Sequence, residues 1–203
     1  MNPYSVVKDF ESALCEYTGA KYAVTTTSCT MALLLACKWH KHLVKNPSNL
    51  AITIPSRTYL SVPQSIIHAG YKVRFENIEW SGAYYLAPTN IVDSARRFTS
   101  GMYRPGEYRC CSFHWTKTLS IGQGGCILHD NDDADEYFRR MRFDGRTEGV
   151  SSTYDDIKEI GFHAYMSPRD AAEGLSRLAI LPRHNDPLPN DPYPDLSKME
   201  VFK

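Results

Sequence analysis

The stretch from Arg109 to His129 constrains this chain more than any other: Arg-Cys-Cys-Ser-Phe-His-Trp-Thr-Lys-Thr-Leu-Ser-Ile-Gly-Gln-Gly-Gly-Cys-Ile-Leu-His. A short apolar segment delivers Ser112 and Phe113, and a polar turn then presents Lys117. Gly122, Gly124 and Gly125 lead into a second apolar run, Cys126 to Leu128. A lysine between two strand-like segments, with a hydroxyl residue ahead and glycines behind, suits a lysine held indoors. Burial disfavours its charged form and lowers its pKa, so that the neutral amine can attack an aldehyde. The plainer alternative is a solvated loop lysine, the ordinary state of that residue.

Composition removes several function classes. A chain of 203 residues makes one large domain or a domain with an appendage. A chain of that size buries roughly 70% of the surface its unfolded form exposes. Lys plus Arg and Asp plus Glu stand at 23 each, so no bulk charge draws the chain to nucleic acid or to an anionic membrane. No apolar run approaches the ~20 residues of a spanning helix. The start, Met-Asn-Pro-Tyr, lacks the charged and apolar regions of a secretory leader. Six cysteines without regular spacing indicate reduced thiols and a cytoplasmic setting. No metal is expected: the histidines lack ligand spacing, and His40 and His42, two apart on a helix, point different ways.

Periodicity supplies the elements. Val6, Phe10, Ala13, Leu14 and Tyr17 recur at helical spacing, with Gly19 placed to end the helix. Tyr22 to Val24 reads as a strand. The hydroxyl-rich run from Thr25 to Thr30 opens the nearly all-apolar Met31 to Cys37, a buried helix with Ser28 as N-cap and with Lys38, His40, Lys41 and Lys45 toward its C-terminal half. Leu50 to Ile54 is a strand stopped by Pro55, a helix follows to Ala69 and is ended by Gly70, and Tyr71 to Phe75 is another strand. The mixed stretch Glu76 to Pro88 has no legible structure. Asn90 to Ala95 is a short apolar strand carrying Asp93, Asp132 to Arg142 a polar helix, and Pro168 to Ile180 the final helix. From Pro182 onward the proline-rich, polar sequence reads as a tail or extended arm, giving a large domain over 1–181 and a tail over 182–203.

Some of these positions suggest chemistry by themselves. Free N–H groups and hydroxyls at Ser28-Cys29-Thr30 make an anion site at a helix N-terminus, although a well-capped core helix has the same look. Ligands of open α/β sheets bind beyond the carboxyl ends of strands, where Asp93 lies; alone, it is equally a helix cap. Tyr59, an aromatic near a helix start, is either core or a clamp for a flat ring.

Taken in order, these residues resemble the DegT/DnrJ/StrS aminotransferases, fold-type I enzymes that use pyridoxal 5′-phosphate (PLP) and act mostly on nucleotide-linked keto-sugars. Ser112-Phe-His-Trp-Thr-Lys117 followed by Gly122-Gln-Gly-Gly125 is similar to that family's Ser-Phe-His-x-x-Lys and Gly-Glu-Gly-Gly, with Gln123 for the glutamate. Ser28-Cys29-Thr30 stands where the family has Ser-Gly-Thr on the cofactor phosphate. Tyr59 takes the place of the aromatic that stacks on the pyridine ring. Asp93-Ser-Ala resembles the strand-end Asp-x-Ala whose carboxylate holds the pyridine nitrogen protonated, keeping the ring an electron sink. The next residue is Arg96, where relatives carry glutamine or histidine. Gly161-Phe-His-Ala-Tyr-Met is similar to a loop, Gly-x-Asn-x-Arg-Met, that reaches a partner's cofactor phosphate, with His163 in the asparagine's place.

The resemblance covers about Phe10 to Leu181 and implies a short form without the family's C-terminal small domain. It implies an α/β fold, helices on both faces of a mostly parallel sheet, with PLP at the strand carboxyl ends. It also implies the roles: Lys117 as covalent anchor and proton shuttle, Asp93 on the ring nitrogen, Tyr59 on the ring face. Ser28, Cys29, Thr30 and Ser112 hold the phosphate, and His163 serves a homodimer partner. Arg96 departs from the family pattern, and a cation beside the site suits a substrate carboxylate or diphosphate. The implied substrates are an amino-acid donor, glutamate, and a keto-sugar nucleotide. Two rivals stand beside this reading. One is a PLP-dependent sugar dehydratase, whose branch replaces the lysine with histidine. The other is a non-catalytic or regulatory dimer subunit, favoured by Arg96 and Tyr165.

Overall fold

A computed structural model describes residues 4–44 and 50–203. Met1 to Pro3, part of the stretch searched for a leader, and Lys45 lie outside the described residues. The chain runs α1 (Ser5–Thr18), β1 (Tyr22–Thr26), α2 (Cys29–Leu43), β2 (Ala51–Pro55), α3 (Ser61–His68), β3 (Lys72–Glu76), β4 (Tyr84–Tyr85), β5 (Ile91–Asp93), β6 (Tyr108–Ser112), β7 (Gly125–His129), α4 (Asp132–Arg142) and α5 (Pro168–Ile180). Two short 3₁₀ turns, Leu196–Lys198 and Glu200–Phe202, follow.

The helix ends are set locally. Gly19, at φ +81°, closes α1 by donating its N–H to the Cys15 carbonyl, a left-handed position that suits glycine. Ser28 Oγ accepts from Met31 N–H at 3.2 Å and caps α2. Asn131 caps α4, with aspartates in its first turn and arginines in its last, the polarity the helix dipole favours. Ser167 caps α5 with Pro168 directly behind it, where a missing N–H costs nothing.

The sheet corrects one expectation. Its order is β1-β7-β6-β5-β4, and within it only β5 and β6 run parallel; β1 with β7, β7 with β6, and β5 with β4 are antiparallel. β2 and β3 form a separate parallel pair, joined to the loop after β4 by reciprocal backbone bonds between Thr53 and Ala87 of 2.7 and 3.1 Å. The mostly parallel sheet is therefore wrong for this chain. Near-continuous apolar strands report that both faces are covered, which parallel sheets almost always need. Here antiparallel strands are covered on both faces too.

The helices on both faces are as expected. Along β7, Ile127 turns toward a core built by α2, α3 and α4, while Cys126 and Leu128 turn toward α1 and α5. Cys110 and Cys111 of β6 divide in the same way. All six cysteines are free thiols. Among the described residues no helix is long and apolar enough to cross a membrane.

A buried ion cluster ties α1, α4 and the end of β1 together. Glu11 Oε1 accepts from Thr25 N–H at 2.9 Å, Thr25 Oγ1 at 2.8 Å and Arg142 at 2.5 Å, and its Oε2 accepts from Arg139 at 2.6 Å. Arg142 also donates to the Thr25 carbonyl at 2.6 Å. Thr25 lies three residues before Ser28, so this cluster fixes the approach to the N-terminus of α2.

Candidate active site

The chain segments at the carboxyl ends of β5 and β6, the N-terminus of α2, the approach to α3 and the turn after β6 enclose one cavity of about 440 Å³. Its walls include Ser28, Cys29, Thr30, Tyr59, Asp93, Arg96, Ser112 and Lys117, every sequence-derived candidate but His163.

Two glycines explain how the walls come so close. A Cβ on Gly125 would lie 2.4 Å from the Cys29 nitrogen and 2.6 Å from the Ser28 carbonyl carbon, so only glycine lets β7 pass the start of α2. Gly124, at φ +148°, leaves room for the Met166 side chain. The cavity thus faces a helix N-terminus whose first N–H groups precede any intrahelical acceptor, with hydroxyls beside them. Thr30 Oγ1 pairs with Ser61 Oγ at 2.8 Å, which fixes its orientation. Cys29 is buried, and burial followed by the charge of Asp93 pushes its thiol well above the ordinary range; it is a neutral wall of the site.

Asp93, 4% exposed, sits at the end of β5. Its Oδ1 accepts from Ala95 N–H at 3.0 Å and its Oδ2 from the Tyr84 hydroxyl at 2.9 Å. Since that hydrogen is committed, Thr58 Oγ1, at 2.6 Å, donates to the Tyr84 oxygen. Burial raises the Asp93 pKa, opposed by these two donors and by Lys117. Among the described residues a carboxylate so held has no ion-pair partner, and it gains from a protonated ring nitrogen.

Lys117 is half-buried, and its backbone N–H closes the turn onto the His114 carbonyl at 2.8 Å. Among the described residues its amine has no hydrogen-bond or ion-pair partner. Burial first, then the charge of Arg96, lowers its pKa below the ordinary 10.5, against opposing pulls from carboxylates including Asp93 and Asp191. The cavity therefore combines a lysine biased toward its neutral form, a buried carboxylate and an anion cradle. The donor set fits a flat, phosphorylated aldehyde with a basic ring nitrogen.

Tyr59 stands on the rim, 61% exposed, with its ring free to cover something flat. His163 lies outside the cavity, its side chain 73% exposed and its Nδ1 3.0 Å from Asp144 Oδ2. The loop carrying it is docked by the Thr27 N–H on the Ala164 carbonyl at 2.9 Å.

Comparison with known proteins decides the family. The profile of the DegT/DnrJ/EryC1/StrS aminotransferase family matches residues 1–104 and 99–187. The chain belongs to that family. It is 25% identical over 224 residues to the spore coat polysaccharide biosynthesis protein SpsC of Bacillus subtilis (strain 168), covering 86% of this chain and 57% of SpsC. It is 24% identical over 220 residues to the UDP-4-amino-4,6-dideoxy-N-acetyl-beta-L-altrosamine transaminase of Campylobacter jejuni, with the same shares of each chain. Its fold is similar to that of NtdA from Bacillus subtilis with bound cofactor PMP, at TM-score 0.70 and 18% identity, covering 87% of this chain and 48% of that one. The chain thus spans about 57% of the length of the curated relatives it matches.

Within this family member, the structure adds wall residues that sequence reading missed. Thr58, Trp80, Asp191 and Tyr193 line the cavity, and Tyr84, outside the lining, holds Asp93 while Thr58 holds Tyr84. Thr58 stood beside Tyr59 and was legible as a neighbour of the site. Tyr84 and Trp80 fall in the stretch with no readable periodicity. Asp191 and Tyr193 belong to the proline-rich segment, which lies along the body. The Tyr17 hydroxyl donates to the Pro182 carbonyl at 2.5 Å, Ser100 N–H to the Arg183 carbonyl at 2.8 Å, and Leu196, fully buried, donates its N–H to the Ser56 carbonyl at 2.8 Å.

Proposed function

We propose that this chain binds PLP in the 440 Å³ cavity and serves transfer of an amino group from an amino acid, glutamate in this reading, to a keto-sugar nucleotide. One observation carries the proposal: a pKa-lowered lysine, unpartnered among the described residues, and a buried carboxylate share a cavity with a helix N-terminus. When bound, PLP supplies an aldehyde that takes up the amino group and a ring that accommodates negative charge.

The residues divide the work. The N–H groups and hydroxyls at Ser28, Cys29 and Thr30, with Ser112, hold the phosphate and fix one end of the group. Asp93 holds a proton at the ring nitrogen, and Thr58 and Tyr84 keep its carboxylate aimed there. Tyr59 covers the ring face and excludes water, worth ~0.5–1.5 kcal/mol of orientation beyond area burial. Lys117, with a neutral amine in reach, anchors the aldehyde and afterwards carries the proton between carbon centres. Arg96 supplies a cation for an anionic group of the substrate. All of these roles fall within residues 28 to 117. His163, exposed and outside its own cavity, serves a second copy's phosphate in a cytoplasmic homodimer.

Beside Arg96 and Tyr165, the Asp191–Arg96 ion pair at the cavity favours the non-catalytic reading. The dehydratase reading is disfavoured by Lys117 itself. Titrating PLP-loaded protein with glutamate separates the first two. Loss of the visible absorption band, restored by a keto-sugar nucleotide, is expected. A band that no amino donor bleaches establishes the non-catalytic reading instead.

A further inference from the structure

We propose that the Arg96 guanidinium is the binding site for the carboxylate of the amino-acid donor, and that the chain's own Asp191 occupies that site until a donor displaces it. The identification of the ligand as a donor rests on the aminotransferase reading above; the carboxylate subsite itself rests on geometry.

Arg96 is only 8% exposed, yet its charged end opens into the same cavity as Lys117. Its Nη1 donates to Asp191 Oδ2 at 2.6 Å and its Nη2 reaches Asp191 Oδ1 at 3.3 Å. Two nitrogens on two oxygens of one carboxylate is the paired fork that arginine offers and lysine cannot. Nη1 also donates to the Tyr193 hydroxyl at 3.2 Å, and Nη2 to the Pro189 carbonyl. The Tyr193 ring lies nearly parallel to Trp80, at 18° with centroids 6.2 Å apart. These contacts hold the guanidinium in place whichever carboxylate is on it, and its buried Nε has no partner among the described residues.

The two members of the pair are unequally held. Asp191 has 61% of its side chain exposed and returns to water at little cost, whereas Arg96 has nowhere else to go. The segment around Asp191 is fastened on either side by bonds that do not involve its carboxylate. Leu188 N–H donates to the Arg96 carbonyl at 2.8 Å, and Asn190 Nδ2 to the Trp80 carbonyl at 2.7 Å. Beyond it, Arg57 donates to the Tyr193 carbonyl at 3.1 Å. Tethered in this way, Asp191 competes at high effective concentration, but only its side chain must move to release the site. The occupant already present is a carboxylate at fork spacing, which favours a carboxylate ligand over the broader diphosphate of a sugar nucleotide.

The test uses the full chain without added PLP and glutarate as probe, a dicarboxylate with no amine to react. Calorimetric titration should show Asp191→Asn binding glutarate about tenfold more tightly than the parent, because the competent fraction is no longer reduced by the internal competitor. Arg96→Lys in the Asp191→Asn background should lose that gain, since a point charge cannot reproduce the fork. Equal glutarate affinity in the parent and Asp191→Asn overturns the proposal, as does a gain in pyrophosphate binding with none for glutarate. Cofactor attachment at Lys117 is scored separately. Tighter glutarate binding without Lys117 labelling would leave the subsite standing and remove the PLP reading; labelling with unchanged glutarate binding would do the reverse.

Discussion

Glu11→Gln is the sharpest test of how the fold holds the site. The carboxylate is buried and accepts from Arg142, Arg139 and both polar groups of Thr25. In the variant, one of the two oxygens becomes an amide NH₂, and each oxygen now accepts from an arginine. Whichever way the amide turns, it aims hydrogens at a guanidinium. Arg142, 1% exposed, keeps Glu148 at 2.7 Å but loses its buried partner. Removing one member of a buried ion pair costs about 3–5 kcal/mol. At roughly 2–4 °C per kcal/mol for a chain of this size, the melting temperature should fall by roughly 6–20 °C. Thermal unfolding followed by circular dichroism reads it directly, with Glu148→Gln, whose side chain is 25% exposed, as a milder control. Burial alone would raise the Glu11 pKa, but Arg142 and Arg139 outweigh it and hold it below the usual 4.5. The unfolded chain therefore takes up the proton first as pH falls. The contribution is complete above pH 4.5 and is lost as pH drops through the lower folded-state value. The gap between parent and variant should close in that acid window. A gap under about 1 kcal/mol at pH 7, the scale of an exposed pair, would refute the reasoning.

Other perturbations address the site itself. Asp93→Asn should stay folded and still take up PLP but slow the glutamate half-reaction on the order of a hundredfold or more, the scale of one positioned proton-handling group; an unchanged rate in stopped-flow absorbance would make Asp93 a mere cap. Gly125→Ala places a methyl against the Cys29 and Ser28 backbone and should destabilise by about 1–3 kcal/mol. It should also weaken PLP uptake, and wild-type melting with wild-type uptake would contradict the close approach. Sedimentation should find a homodimer in which His163→Ala loosens the cofactor, and a monomer that holds PLP tightly would defeat the shared-site assignment.

The parts of this fold that can be read from sequence are those whose signals are local. Helix α4 coincides with its expected span because Asn131, the leading aspartates and the trailing arginines act within one turn of its ends. The same holds for Ser167 and Pro168 at α5. Strand direction carries no local signal: Gly125–His129 is buried on both faces, and that pattern is the same whether its neighbours run with it or against it. The site shows the same division. Ser28, Asp93 and Ser112 stand at element boundaries, where caps and strand ends mark them, and Lys117 stands in the turn that glycines close. Asp191 and Tyr193 lie in a segment whose proline-rich composition has no period, and only three-dimensional packing brings them to Arg96. Tyr84 reaches Asp93 because β4 pairs with β5, Tyr84 opposite Asp93, a register no spacing in the sequence announces.

The proposed function stands or falls with Lys117 as the cofactor lysine. Incubating the full chain with PLP, reducing with borohydride and mapping the peptides by mass spectrometry tests it most directly. A stable phosphopyridoxyl adduct is expected on the peptide carrying Lys117, one per chain, and is expected to be lost in Lys117→Ala. Labelling at another lysine, or none above the level of an unrelated protein, would contradict it.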